Sequence, residues 1–281
     1  MNRKRKKIDA EELRELELNI LDFFVQICED NGLTYFLSGG TLLGAVRHHG
    51  FIPWDDDIDV MMPRRDYEKL IEIFPNHPYF KFLYHGNTHN YPKPFGTIND
   101  SRTCKPELNI RKKCRYILGV NIDVFPIDEI PDGHDEIRHY YLELSKLAQK
   151  MYCITYSYTY KKSYWFTIKK YLGISIYRAL EFFKIVSIDR IIQEYAILAQ
   201  RYAGSGSSMC GVTTIDNYGE REANVAKDYY PITKQQFEKK EYNLPANYDA
   251  YLHGLYGDYM TLPPLEERVP HHAICYWRNV K

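Results

Sequence analysis

A glycine pair followed by a run of aspartates constrains this chain more than any other feature. The segment SGGTLLGAVRHHGFIPWDDDIDV (38–60) places Gly39 and Gly40 shortly before four carboxylates. On an extended strand alternate side chains share a face, so Asp57 and Asp59 are predicted to lie side by side, with their apolar neighbours in the core. Adjacent carboxylates repel unless a cation offsets them, and a hard divalent ion suits oxygen ligands. Because glycine lets backbone N–H groups approach an anion, the segment predicts metal-assisted chemistry on a phosphorylated substrate.

A further carboxylate falls within a later apolar strand. In Val120–Phe125 the apolar side chains Val120, Ile122 and Val124 share one face, and Asp123 lies on the other. A carboxylate in such a strand needs a partner, for which a salt bridge is the ordinary explanation. Since an aspartate pair lies upstream, we favour a metal site shared by all three aspartates.

The spacing of apolar residues predicts an α+β fold. An amphipathic helix runs from Leu13 to Ile27 and stops near Gly32. Further elements predicted in the first half are a strand over Leu33–Leu37, a helix over Thr41–His48, a strand over Asp57–Met61, a helix over Arg65–Phe74, and strands over Tyr79–Tyr84, Phe95–Asn99 and Tyr116–Phe125. We divide the chain into a catalytic core (1–131), a helical, aromatic-rich segment (132–205), and a C-terminal segment (206–281) that begins after a flexible Gly-Ser joint, opens with a strand over Met209–Ile215 and returns to the core.

Composition excludes some classes of function. The 281 residues contain 37 Lys and Arg and 37 Asp and Glu, so the net charge is zero, which argues against binding to nucleic acid. None of the six cysteines forms a Cys-x-x-Cys pair, and no signal peptide is evident, so we expect reduced thiols in a cytoplasmic protein. The cluster of His271, His272 and Cys275 lacks a second ligand pair at zinc-site spacing, so a zinc site is not favoured.

Three motifs resemble those of one family. GGTLLGAVRHHGFIPWDDDIDV followed by MMPRRDYEKL resembles the signature of the LicD family of phosphocholine transferases, which is related to the fukutin-type phosphotransferases. Asn121–Pro126 is similar to that family's third-carboxylate strand, and Tyr256–Pro264 is similar to its C-terminal signature. The resemblance implies a nucleotidyltransferase-like mixed-sheet core with a helix-rich insertion. It also implies transfer of phosphocholine from CDP-choline to a sugar hydroxyl on a lipid-linked precursor of a cell-surface glycan, of the teichoic acid or lipopolysaccharide type.

The candidate residues divide into metal ligands and phosphate ligands. Asp57 and Asp59 are predicted to bind Mg²⁺, or Mn²⁺ in its place, with Asp123 as third ligand or as general base. Asp55 and Asp56 are expected to orient these ligands. The predicted phosphate ligands are Gly39, Gly40, Thr41 and Arg47, with Lys93 and Lys112 as weaker candidates. For Arg47 a surface salt bridge is an equal alternative.

Two other activities and one non-catalytic role stay open on the sequence. The same glycine and aspartate elements serve a nucleotidyltransferase, which moves the nucleotide half of the donor, or a transferase for another CDP-activated alcohol such as ribitol. A non-catalytic nucleotide-binding protein would be marked by loss of a carboxylate, yet Asp57, Asp59 and Asp123 are all present.

A basic-bordered apolar stripe suggests a peripheral membrane contact on the inner face of the membrane. Packing of the same stripe on the core is an equal alternative. No run reaches the length of a transmembrane helix. The stripe comprises Trp165, Ile168, Leu172, Ile176, Phe183 and Val186, and its border comprises Lys162, Lys169, Lys170 and Lys184.

Overall fold

The long opening helix follows the predicted apolar spacing. A computed structural model describes residues 6–106, 110–111, 118–155, 164–214, 218–269 and 274–278, with side chains in 164–170 excluded. Helix α1 (Ala10–Asn31) begins at Asp9, whose side chain accepts a hydrogen bond from the Glu12 amide, and ends at Gly32 in the left-handed region (φ 63°). The predicted apolar stripe is its buried face: Leu13, Leu16, Ile20, Phe24 and Ile27.

A mixed sheet forms the centre of the fold. The strands of the described residues are β1 (Phe36–Leu37), β2 (Asp59–Pro63), β3 (Phe80–Leu83), β4 (Gly96–Asp100), β5 (Thr103–Cys104), β6 (Asn121–Glu129), β7 (Met209–Val212), β8 (Ala223–Val225), β9 (Thr233–Phe237), β10 (Lys240–Leu244) and β11 (Tyr276–Trp277). The sheet has the order β1-β2-β6-β4-β3, and β7 pairs with the second half of β6 and with β8. Strands β2 and β6 are parallel, whereas the other pairs of this sheet are antiparallel. Strands β9 and β10 form a hairpin, and β5 pairs with β11.

The buried apolar side chains form two clusters. One lies about the sheet and the helices packed on it, and the other lies among helices of the second half of the chain. Together, the helices and the mixed sheet confirm the predicted α+β class. The division at residues 131 and 205 stays a prediction. The remaining helices are α2 (Gly39–His48), α3 (Arg64–Ile73), α4 (His134–Thr155), α5 (Tyr164–Phe182), α6 (Ile188–Ala199) and α7 (Tyr248–Tyr256).

Several predicted boundaries in the first half are wrong by a few residues. Strand β2 begins at Asp59, so the predicted strand start at Asp57 is wrong: pairing with β6 begins only at Asp59. The predicted strand over Leu33–Leu37 is limited to its last two residues, because β1 meets only Val60 and Met61 of its neighbour. The glycine pair, predicted as a turn, forms the first turn of α2.

The later strands show similar shifts. The strand predicted to end at Phe125 instead continues to Glu129. Residue Tyr116, its predicted start, lies outside the described residues, as does Ile215, the predicted end of β7. The remaining predicted helices and strands of the core agree with the structure to within about two residues.

A buried polar network links the sheet to the helical cluster. Arg64, at the start of α3, forms a bidentate ion pair with Asp128 of β6, with N···O distances of 2.6 and 2.7 Å. The Thr213 hydroxyl donates to the same carboxylate, and the Tyr195 hydroxyl of α6 donates to the Thr213 carbonyl at 2.8 Å. Thr213, which follows β7, is therefore hydrogen-bonded both to Asp128 on the sheet and to Tyr195 on the helical cluster.

Helix α5 exposes part of the predicted stripe. Leu172, Ile176 and Phe183 are 61%, 49% and 70% exposed, so they do not pack in the core, whereas Val186 contacts the helical cluster. The side chains of the rest of the stripe, and those of Lys162, Lys169 and Lys170, lie outside the described residues. Within the described part of the chain, no helix combines the length and apolar character needed to cross a bilayer.

Candidate active site

Two predicted carboxylates are direct neighbours across the parallel strands. The register of β2 and β6 pairs Asp59 with Asp123, and the Asp123 amide donates to the Ile58 carbonyl at 3.0 Å. The Asp59 carbonyl accepts from the Ser38 amide at 3.0 Å, and the Asp59 amide donates to the Thr41 hydroxyl at 2.9 Å. Backbone pairing therefore fixes both carboxylates at the start of their strands.

Asp57 reaches the same place from the loop before β2. The loop is held by the Arg14 guanidinium, which donates to the Asp55 carbonyl at 3.1 Å. Burial, followed by repulsion from the carboxylate of Asp55, raises the pKa of Asp57 to about 7. Burial and the charges of Asp57 and Asp123 raise the pKa of Asp59 well above its usual value. The Asp57 side chain is exposed to solvent in the open cavity. The surrounding protein atoms nevertheless remove part of its hydration, which is why burial raises its pKa.

Asp123 differs from the other two carboxylates because the protein supplies it with partners. The Lys93 ammonium lies 3.2 Å from one oxygen of Asp123 and 3.4 Å from the other. The Asn121 amide group donates to the Asp123 carboxylate at 2.8 Å. Lys93 also lies over the Phe95 ring, 5.1 Å from its centroid. The predicted phosphate ligand Lys93 is thus engaged with a catalytic candidate in this structure.

The glycine pair allows the start of α2 to approach these acids. Gly39 has a left-handed backbone (φ 48°), and its amide donates to the Tyr251 hydroxyl at 3.3 Å. A Cβ atom at Gly40 would lie only 2.8 Å from a carboxylate oxygen of Asp55. Both glycines line the cavity described below, whereas the Thr41 hydroxyl holds the start of β2. The N-terminal end of a helix favours an anion, so the geometry is compatible with the predicted phosphate cradle.

A cavity of about 1270 Å³ opens over the site. Arg47 lines it and donates to the Tyr259 carbonyl at 2.6 Å, so the alternative of a surface salt bridge finds no support among the described residues. Burial lowers the pKa of Arg47, which remains a cation at neutral pH. Lys112, the other basic candidate of the sequence, lies outside the described residues. The other lining residues that the argument below uses are Asp55, Asp57, Asp59, Asp123, Thr214, Tyr218, Glu222 and Tyr256.

The donor set suits a hard divalent cation, although the side chains do not form a ready-made cage. Within the described ranges, no three His, Cys, Asp or Glu side chains are placed to hold a metal ion. The ammonium of Lys93 forms an ion pair with Asp123 and so already balances its charge. Asp57 and Asp59 form no ion pair with a described residue, and the charge of Asp57 disfavours ionisation of Asp59, so a cation there fits the charge of the site.

Sequence reasoning missed three residues at this site. Tyr251 and Tyr256 lie on α7, far from the aspartates in sequence, and Glu222 is a buried carboxylate in a polar stretch that no apolar period marks. The Tyr251 hydroxyl contacts the Ser38 hydroxyl at 3.2 Å, which ties α7 to the start of α2. The resemblance of Tyr256–Pro264 to a family signature was the available signal for Tyr256, but it assigned that residue no role.

Comparison with known proteins agrees with the geometry. The sequence profile described as "LicD/FKTN/FKRP, nucleotidyltransferase domain" matches residues 32–116, which include the glycine pair, Asp57 and Asp59. The "Lipopolysaccharide cholinephosphotransferase LicD" of Haemophilus influenzae is 30% identical over 272 residues, which cover 95% of this chain and 97% of that protein. The chain belongs to the LicD family. The resemblance found in its motifs is thereby confirmed.

Other relatives match over shorter lengths. The human "Ribitol 5-phosphate transferase FKRP" is 50% identical over 38 residues, or 14% of this chain and 8% of that protein. An uncharacterised Rickettsia prowazekii protein, RP689, is 32% identical over 97 residues, about a third of each chain. The chain is thus similar to proteins whose names specify different alcohol phosphates.

Proposed function

We propose that this enzyme transfers phosphocholine from CDP-choline to a sugar hydroxyl on a precursor of a cell-surface glycan, of the lipopolysaccharide or teichoic acid type. One observation carries the proposal: the register neighbours Asp59 and Asp123, with Asp57 beside them, face the glycine start of α2 within a large cavity. The similarity to a lipopolysaccharide cholinephosphotransferase along almost the whole chain supports the choice of group transferred.

The reaction is a displacement at the phosphorus that bears choline. The sugar oxygen forms a bond to that phosphorus, the bond to the oxygen of the nucleotide phosphate breaks, and CMP leaves with the electron pair. Asp123 is the proposed acceptor of the hydroxyl proton, with Lys93 balancing its charge in the resting enzyme. Amides at the start of α2 and the Arg47 guanidinium are proposed to orient the two phosphates.

Asp57 and Asp59 are the residues proposed to hold Mg²⁺, or Mn²⁺ in its place. Asp123 would join them as a third ligand if it does not act as base, and Asp55 would orient Asp57. Such an ion, when bound, supplies positive charge to the phosphate oxygens and the departing CMP.

Two labelled donors test the reaction. CDP-choline labelled in choline should place its label on the acceptor sugar, whereas CDP-choline labelled in cytidine should release labelled CMP. Cytidine label on the acceptor would instead establish nucleotidyl transfer and overturn the proposal. An Asp59→Asn preparation, which we expect to retain the fold while it loses one acid of the register pair, provides the background for both measurements.

Transfer of another CDP-activated alcohol phosphate is the second candidate. It is favoured by the 38-residue similarity to a protein named as a ribitol 5-phosphate transferase. Competition between CDP-choline and CDP-ribitol in the same assay decides between them, since the preferred donor will have the higher kcat/KM.

We further propose that the exposed face of α5 contacts a membrane that carries the glycan precursor. Leu172 and Ile176 on the helix, and Phe183 just after it, are exposed apolar side chains, and the exposed Lys184 follows them, as expected for a segment lying on an anionic bilayer. Replacing Leu172 and Phe183 together by Asp should abolish binding to vesicles of phosphatidylglycerol and phosphatidylcholine at low salt. The matched control is Leu142→Asp on α4, where the side chain is 52% exposed. A wild-type protein that ignores these vesicles would refute the membrane contact.

A further inference from the structure

A buried carboxylate on the cavity wall is left without a full set of partners. Glu222 ends a short 3-10 helix and is only 1% exposed, yet it lines the cavity. Tyr251 hydrogen-bonds to Glu222, but the Oε2 atom finds no partner among the described residues. The Thr214 hydroxyl, which also lines the cavity, is likewise unpartnered within the described part of the chain. Buried polar atoms are normally paired, so these two indicate a ligand.

Two tyrosines form an aromatic corner beside this carboxylate. The Tyr218 and Tyr256 rings lie 5.5 Å apart and are inclined by 82°, and their hydroxyls contact each other at 3.1 Å. Both side chains line the cavity. The Arg221 guanidinium lies over the Tyr218 ring at 5.3 Å, which shows that this environment already accommodates a cation on an aromatic face.

The aromatic corner lies within reach of the phosphate chemistry. A Cβ atom built on Gly39 would be 3.7 Å from the Tyr256 hydroxyl and 3.7 Å from a carboxylate oxygen of Asp59. The position of Gly39 is therefore flanked by the corner on one side and by a catalytic carboxylate on the other. Two carbon atoms separate the oxygen and nitrogen of choline, so one donor can span both sites.

We infer that Glu222, Tyr218 and Tyr256 bind the quaternary ammonium group of the donor. A quaternary ammonium carries a full positive charge but has no N–H to donate. The negative charge of a carboxylate and the faces of aromatic rings therefore recognise it better than neutral hydrogen-bond acceptors do. Burial raises the pKa of Glu222 to about 8, and a polyol in the same place would bring no positive charge to favour its ionised form. This inference rests on the proposed function and adds to it the residues that select choline.

Binding measurements on three variants test the inference. Calorimetry in Mg²⁺ buffer should show that Glu222→Gln, Tyr218→Leu and Tyr256→Leu each bind CDP-choline at least about tenfold more weakly, while CMP affinity stays within about twofold. Tyr256→Phe keeps the ring and should stay within about threefold of wild type for CDP-choline. The matched control is Tyr202→Leu, because Tyr202 meets Tyr140 in a similar edge-to-face pair, at 5.5 Å and 84°, away from the cavity.

The outcomes separate this inference from the proposed function. If the wild type binds and uses CDP-ribitol better than CDP-choline, the proposed function is wrong, and the inference is overturned with it. If the wild type prefers CDP-choline but the variants lose CMP and CDP-choline affinity equally, Glu222 and the tyrosines recognise the nucleotide and the inference is overturned. A rise in acceptor KM alone overturns it as well. Should the leucine variants fail to fold, Glu222→Gln, which preserves side-chain size, decides the question by the same ratio of affinities.

Discussion

At the scale of single residues, the site is a collection of negative charges held together against their repulsion. Asp57 and Asp59 have raised pKa values because burial and neighbouring carboxylates disfavour ionisation, whereas Asp123 has Lys93 and Asn121 as partners. We therefore propose different tasks for the three acids. The first two would hold a cation, and the third would exchange its lysine partner for a substrate proton.

Removing one of the first two charges should stabilise the metal-free protein while it removes activity. A carboxyl with a raised pKa binds its proton more tightly when folded, so its contribution to stability is lost as pH rises from about 4, its unfolded value, towards 7. We expect Asp57→Asn to raise the Tm at pH 8 without metal by about 2–4 °C and at pH 4 by much less. Turnover at saturating Mg²⁺ should fall at least about 100-fold. Scanning calorimetry and the labelled-donor assay measure both, with the exposed Glu266→Gln as control; full activity would remove Asp57 from the site.

The effects of Asp123→Ala on kcat and on the donor KM distinguish the two roles proposed for Asp123. If it accepts the proton, Asp123→Ala should lower kcat by about 100-fold or more and leave donor KM within about threefold. If it binds the cation, both parameters should deteriorate and extra Mg²⁺ should partly restore them. Steady-state kinetics over a range of Mg²⁺ concentrations distinguish these results, and wild-type values for both parameters would exclude Asp123 from catalysis.

At the scale of elements, the start of α2 leaves little room for a larger side chain. The helix begins at a glycine with left-handed backbone, is tied to α7 through Tyr251, and passes so close to Asp55 that a side chain at Gly40 would displace it. Helical propensity alone disfavours two glycines in a first turn. Their presence here reflects the approach of backbone to carboxylate.

Gly40→Ala tests this close approach. The added methyl group should push the Asp55 carboxylate aside and reduce kcat/KM at least about tenfold, since Asp55 lies next to Asp57. The matched change is Gly173→Ala in α5, where a Cβ would meet its nearest neighbour, the sulfur of Cys153, at an ordinary 3.6 Å. It should leave activity unchanged and raise stability by about 0.5–1 kcal/mol. Equal activity in both variants would show that the start of α2 accommodates a larger side chain at Gly40.

Local sequence patterns predicted the elements better than the contacts between them. The period of two placed Asp59 and Asp123 on strands, and apolar spacing gave α1, because both signals lie within a few residues. Asp57 lies before the strand because pairing starts at Asp59, which no local pattern specifies. Tyr251 and Glu222 enter the site through contacts across the fold with the start of α2 and the cavity, so sequence spacing could not identify them.

At the scale of the whole molecule, the two buried clusters meet where β6 and β7 pair. Tyr141 and Tyr195, from the helical cluster, donate to carbonyls at the end of β7, and Thr213 continues to the ion pair of Asp128 and Arg64. The next residue along the chain lines the cavity. Helices that contribute no predicted catalytic residue thereby position one wall of the site.

Breaking that ion pair should destabilise the entire molecule. Asp128→Ala would leave the mostly buried Arg64 without a counter-charge, at a cost of about 3–5 kcal/mol in the free energy of unfolding. The matched control is Arg190→Ala, which breaks the exposed ion pair with Glu194 and should cost less than about 1 kcal/mol. Urea denaturation measures both. A double variant, Arg64→Met with Asp128→Leu, should recover much of the loss, and failure to recover any of it would mean that Thr213 and not the ion pair is decisive.

The parallel register of β2 and β6 has a consequence for how such a chain can be lengthened or shortened. Because neighbouring side chains on a strand point to opposite faces, deleting one residue inside β6 would replace Asp123 by an apolar neighbour on the face that meets Asp59. Changes of length in the connections outside the paired strands leave that match intact. Engineers who change the specificity of this scaffold should therefore keep the two strands and the loop that carries Asp55 and Asp57 at fixed length. The connecting segments without site residues are the places to vary.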